Sequence, residues 1–170
     1  MAARRTFTYQ PSGGDPTGLV IAYREADSQV FVEGDVVFLS SLLLTLAGTD
    51  PTKILGIALE PATNVTSGHK LIKVQVIRPG DLFKTQFAGA NAFVVATDQG
   101  KGYGIIKTSA GLWEVDKAEV AANNMRVAVQ QTREFTSDGK ANPTNGGPIF
   151  ARFVITSGAA ANILQYADIV

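Results

Sequence analysis

The 170-residue chain contains no cysteine and a single histidine, His69. Without thiols there is neither a disulfide framework nor a thiolate zinc site, and the redox compartment leaves no mark on the sequence. Transition-metal sites recruit several His or Cys ligands, so one imidazole does not make a centre. Charge of one sign is missing too. Fifteen basic residues balance fifteen acidic ones and neither sign gathers into a block, so no nucleic-acid or anionic-membrane partner is implied. No apolar run reaches the roughly 20 residues that span a bilayer. The opening MAARRTFTYQPSGG lacks the apolar core of a secretion signal. These absences predict a protein made and kept in the cytosol until it is used, with no metal or other cofactor.

What the chain does have is a series of short apolar runs separated by turn residues. The two most apolar, residues 36–39 and 53–59, flank Gly48-Thr49-Asp50-Pro51 and read as central strands. Strands are also expected over 19–25, 29–32, 69–77, 82–87, 103–108, 112–116, 124–132 and 149–156, with a closing piece at 163–166 and a further one at 93–95. Residues 40–47, SSLLLTLA, suit either a strand or two helical turns; period 2 sets Leu42, Leu44 and Leu46 on one face and favours a strand. Ser109-Ala110-Gly111 between 103–108 and 112–116 is a hairpin signal, with Trp113 and Val115 facing the core. A helical turn is expected over 117–123 and an exposed loop over 134–148. Nine to eleven short strands and no amphipathic helix predict an all-β domain, a compact barrel or sandwich over residues 19–170. Residues 1–18, with Pro11, Gly13, Gly14, Pro16 and Gly18, read as an extended arm. Its Arg4, Arg5, Phe7 and Tyr9 leave two readings open, a frayed tail or an arm that orders on a neighbouring subunit.

Groups fit for catalysis are few. His69 opens an apolar strand without a Gly-x-Ser-x-Gly elbow elsewhere. Asp35, Asp50, Asp81, Asp98 and Asp138 stand singly in turns, where the carboxylate caps its own backbone. Glu114 and Asp116 share one strand face and read as solvated rather than as an acid/base or calcium pair. Gly100-Lys101-Gly102-Tyr103-Gly104 lacks the Gly-Lys-Ser/Thr ending of a phosphate loop. No enzymatic activity is predicted.

The succession Glu33-Gly34-Asp35-Val36-Val37-Phe38-Leu39, Gly48-Thr49-Asp50-Pro51 and Ile54-Leu55-Gly56-Ile57-Ala58-Leu59-Glu60-Pro61-Ala62 resembles tailed-bacteriophage head proteins of the decoration (cement) type. So does the later Gly102-Tyr103-Gly104-Ile105-Ile106 with Gly111-Leu112-Trp113-Glu114-Val115-Asp116 and Asn124-Met125-Arg126-Val127. The likeness runs over residues 30–130 and lies in strands and turns, not in a catalytic fingerprint. It implies a β-rich domain on the capsid exterior of the virion, bound to the major capsid protein, often as a trimeric homo-oligomer, and bridging capsomers. It also implies that the arm reaches the capsid through Arg4, Arg5, Phe7 and Tyr9. The alternative is a phage tail or fibre component that binds a host surface ligand, which aromatic residues clustered on the 88–102 and 134–148 loops would favour.

Overall fold

The computed structural model describes residues 7–11, 18–67, 69–89, 91–120, 125–131, 148–154 and 164–165. Eleven strands are present among them: β1 Thr8–Gln10, β2 Leu19–Arg24, β3 Val36–Ser40, β4 Leu43–Leu46, β5 Gly56–Ala58, β6 Leu71–Val76, β7 Leu82–Gln86, β8 Gly102–Lys107, β9 Trp113–Asp116, β10 Val127–Gln131 and β11 Pro148–Phe153. One helical turn, α1 at Val95–Asp98, stands where residues 93–95 were expected to extend as a strand. The strands form a five-stranded sheet ordered β2-β6-β5-β3-β4 and a six-stranded sheet ordered β1-β7-β11-β10-β8-β9, with every ladder antiparallel. The architecture is the expected all-β one, sandwich-like and without a fully closed barrel.

The pair expected at the centre is there. β5 is the middle strand of the five-stranded sheet, lies directly beside β3, and is buried along its whole length. Alternation along β3 and β5, interrupted where Leu55 and Gly56 both stand against Val37, explains why the molecule has two cores. Val36, Ile54 and Ile57 face the six-stranded sheet and pack with Phe83, Tyr103, Ile105, Trp113 and Val127. Val37, Leu55 and Ala58 face the other way, against Leu44, Ile72, Val74 and Val76. That second face has no sheet opposite it, so the five-stranded sheet curls over its own apolar surface. A single parallel bridge between Glu25 and Leu44 brings its two end strands together. The six-stranded sheet bends similarly, with Phe87 bridging Val115.

Three local expectations change. The stretch 40–47 is not one strand. Ser41 and Leu42 have φ of 50° and 66°, the left-handed pair of a two-residue hairpin turn, and β4 starts after them. Neither residue is the Asn or Gly such a turn prefers, which hid it. Residues 29–32 form no ladder; Phe31 instead plugs the second core, and the Gln29 amide oxygen accepts from the Leu46 N–H at 2.9 Å. Residues 117–118 make a turn, while 121–124 lie outside the described residues, as do 132–147 and most of the closing piece. Of that piece, Leu164 bridges Ile54, and the Gln165 amide accepts from the Leu39 N–H at 2.6 Å and donates to its carbonyl at 2.9 Å.

Gly56 shows how closely the sheet is packed. A Cβ there would run into the Gln75 backbone carbonyl and a Val74 methyl. Backbone cannot step aside as a flexible side chain can, so Gly56→Ala is expected to lower stability by about 1–3 kcal/mol. Urea denaturation reads this directly, as a lower midpoint at unchanged slope.

Candidate functional site

The polar side chains that sequence reading set aside as turn caps are the most organised chemistry in the molecule. Asp35 does cap its turn, accepting from the Val32 N–H at 2.8 Å. It is also 1% exposed and reaches the opposite sheet, where Lys107 Nζ on β8 donates at 2.8 Å and Trp113 Nε1 on β9 at 3.1 Å. Asp98 caps the Val94 N–H at 2.7 Å and then accepts from Tyr103 Oη at 2.6 Å and Lys117 Nζ at 2.7 Å. Burial pushes its carboxyl upward, but the bonds from Lys117, Tyr103 and Val94 outweigh that and hold it below the usual aspartate range. The Tyr103 hydroxyl is correspondingly driven up, first by burial and then by its bond to Asp98.

Asp50 is the third such group. Its φ of 45° swings the carboxylate over Gly104, where a side chain would collide with it, and Oδ1 accepts from the Ile105 N–H at 2.8 Å. Arg126, 3% exposed, donates from Nη2 to the Asp50 carbonyl at 2.8 Å and from Nε to the Pro51 carbonyl. Burial raises the Asp50 carboxyl; the Ile105 N–H and Arg126 pull against it, while Glu119 and Asp116 add to the rise. Gly104 therefore serves the approach of a carboxylate, Gly102 the approach of Met125, and Gly100 a turn with φ of 76°, which accounts for the three glycines without a phosphate. Asp81 keeps to the expected local role, accepting from the Arg78 N–H at 2.9 Å.

Glu114 overturns its expectation. It is 5% exposed and accepts from Gln86 Nε2, while Asp116 caps the Ala118 N–H at 3.0 Å, so the two are not a solvated pair. Trp113, as expected, is in the core. His69 Nε2 lies 2.9 Å from Asp27 Oδ1, and Asp27 is 68% exposed. Beside it Glu25, fully buried, accepts from the Thr63 N–H at 2.7 Å, the Thr63 hydroxyl and the Lys70 N–H at 3.0 Å. Burial raises the Glu25 carboxyl, and these bonds together with His69 bring it below the ordinary value. Glu25 thus fastens the 60–70 loop to the end of β2. Among the described residues no group of three or more His, Cys, Asp or Glu is placed to hold a metal ion, and no helix is long and apolar enough to cross a membrane.

The two described arm residues, Phe7 and Tyr9, are drawn into the fold. Phe7 is 3% exposed, wedged 4.9 Å from Phe153 and 6.4 Å from Phe83, and Tyr9 is half-buried with its ring 5.8 Å from Phe83. β1 pairs with β7 from Thr8↔Lys84 to Gln10↔Leu82. At 7–10 the expected arm is therefore an edge strand of the sandwich, its aromatics drawn in by Phe83 and Phe153; Arg4 and Arg5 lie outside the described residues. Phe93, the one aromatic residue of the 88–102 connection, is not turned outward either but packs partly against the core. A cavity of about 140 Å³ lined by Phe38, Gly48, Pro51, Thr52 and Lys53 is well below the size that encloses a drug-sized ligand. No family model, curated protein or solved structure matches the chain.

Because the Asp98 carboxyl is held below its unfolded value, its contribution is fully present above about pH 4 and is lost as pH falls through the lowered value. Asp98→Asn should cost about 3 kcal/mol at pH 7, because it removes the charge that pairs with Lys117 and leaves one acceptor oxygen where Val94, Tyr103 and Lys117 now share two. Denaturation curves of both proteins from pH 7 to pH 2.5 should show that gap narrowing on acidification; a gap independent of pH would contradict the assignment.

Proposed function

We propose that the chain is a virion structural protein of the capsid-decoration class, which binds the exterior of an assembled bacteriophage capsid and bridges neighbouring capsomers. The observation that supports this reading is how the polar groups are used. Asp35, Asp50, Asp98 and Glu25 each accept from two or more donors or cap a distant strand, and in doing so they fasten turns to sheets across the fold. Chemistry spent in this way gives a stiff block, and a stiff block is what a lattice reinforcement requires. The likeness of residues 30–130 to decoration proteins points the same way.

The mechanism in this reading is multivalent. Each copy buries on the order of 800 Å² against the major capsid protein, and repetition over the lattice turns a modest affinity into strong reinforcement. Phe7 and Tyr9 belong to the sandwich, so capsid contact by the N-terminal segment falls to Arg4 and Arg5. Purified protein mixed with empty expanded heads should appear as regular surface density in cryo-electron micrographs, and heads left bare at saturating protein would refute the proposal. Arg4→Ala with Arg5→Ala should weaken head binding on the order of tenfold, without loss of fold, because both residues precede Phe7. Removal of residues 1–18 is a poorer test, since it also takes away β1.

A further inference from the structure

The peptide bond between Asp50 and Pro51 combines features that a turn does not need together. The Asp50 φ of 45° lies in the left-handed region, uncommon for any residue but glycine, while Pro51 pushes the residue before it toward extended backbone at negative φ. Two bonds to β8 hold Asp50 in this conformation: its N–H donates to the Ile105 carbonyl at 3.1 Å, and the Ile105 N–H donates to Asp50 Oδ1 at 2.8 Å. The strained unit that follows is gripped by a buried guanidinium. Arg126 donates to the Asp50 carbonyl oxygen at 2.8 Å and to the Pro51 carbonyl, and its own N–H is tied to the Tyr103 carbonyl at 2.8 Å.

An aspartyl-prolyl bond is open to attack from within. The carboxyl group is one ring closure away from its own carbonyl carbon, so the reaction is intramolecular. The proline nitrogen carries no hydrogen and is a more basic leaving group than an ordinary amide nitrogen. What such a bond lacks in water is a fixed donor for the charge that collects on the carbonyl oxygen at the tetrahedral stage. Arg126 stands where that donor is needed.

We propose that the Asp50-Pro51 bond is a self-cleavage site, cut by the Asp50 side chain with Arg126 stabilising the oxyanion. With Oδ1 held by Ile105, Oδ2 attacks the Asp50 carbonyl carbon. A C–O bond forms and closes a cyclic anhydride, the C–N bond breaks, and the carboxyl proton passes to the departing Pro51 nitrogen. Water then opens the anhydride, leaving one piece that ends in Asp50 and one that begins with Pro51. That water has a short path, since Gly48, Thr49, Thr52 and Lys53 are exposed and the small cavity beside Pro51 opens among them. The reaction needs the carboxyl proton, which Asp50 keeps to milder acidity than an ordinary aspartate. Burial raises its carboxyl, the Ile105 N–H and Arg126 oppose the rise, and Glu119 and Asp116 add to it. This activity stands independently of the capsid reading.

The chain contains its own reference, because Asp15-Pro16-Thr17 repeats the tripeptide Asp50-Pro51-Thr52. The β1–β7, β2–β6 and β3–β5 ladders cross the cut and keep the pieces together, so products are read as intact masses after denaturation. Full-length protein is incubated near the lowest pH at which circular dichroism shows it folded, and in the same buffer with guanidinium chloride. In denaturant the two bonds should be cut at similar rates. Folding should speed the cut at 50–51 on the order of tenfold, a part of the about 10²–10³ that a single oxyanion donor supplies in enzymes. Arg126→Lys, read where it too is folded, should remove most of that gain; the comparison of folded with denatured unmodified protein holds whether or not the variant folds. A rate at 50–51 that folding leaves unchanged or lowers, no cut there in the folded protein, or a gain that survives in folded Arg126→Lys would each overturn the proposal.

Discussion

The Asp35 carboxylate holds the turn before β3, a lysine on β8 and the indole of β9 at one point. Most other relations between the sheets among the described residues are apolar contacts, which are strong but without direction. The burial of Val36, Ile54 and Ile57 against Tyr103 and Ile105 does not by itself favour one register as sharply as a hydrogen bond does. A carboxylate with three donors cannot slide. Desolvating Asp35 and most of Lys107 costs much of what their attraction returns, so the pair adds little net stability over an apolar substitute. Its effect is to make one arrangement of the sheets preferable, and to make loss of either partner expensive.

The same device recurs at the periphery with different elements. Asp98 ties the connection after β7 to β8 and to Lys117 beyond β9, Glu25 ties the 60–70 loop to β2, and Asp50 with Arg126 ties the β4–β5 connection to β8 and β10. Asp98, like Asp35, caps its own turn and is also a long-range fastener, whereas the carboxylates of Glu25 and Asp50 accept from distant residues. Connections are the segments that open first in most folds, because few apolar contacts hold them. Here they are held by charge-assisted bonds, which are shorter and stronger than neutral ones. A domain so fastened is a poor candidate for hinge motion.

Much of this could be read from the chain, and the division has physical reasons. Apolar period and turn chemistry located β3, β5, β6, β8, β9 and β10, and put Trp113 and Val115 inward, because those signals are local. The Ser41-Leu42 turn escaped because it uses residues that disfavour its geometry and keeps Leu42 84% exposed. The fasteners escaped for another reason. Asp35 and Lys107 are 72 positions apart, and no spacing rule marks a carboxylate that caps its turn and also crosses the core. Glycine held the only available signal: Gly104 and Gly56 sit inside strands, where a missing side chain marks the close approach of another group. The N-terminal aromatics were misplaced because composition marks a segment as turn-rich before it shows what its Phe and Tyr pack against.

The claim that one buried carboxylate sets the relation of the two sheets is tested most directly by a double-mutant cycle on Asp35→Asn and Lys107→Met, read by urea denaturation. The account predicts that the single changes are strongly non-additive, with a coupling of about 1–3 kcal/mol, since each alone strands the other's buried group. Effects that add to within about 0.5 kcal/mol would mean that Asp35 and Lys107 do not set the register of the sheets.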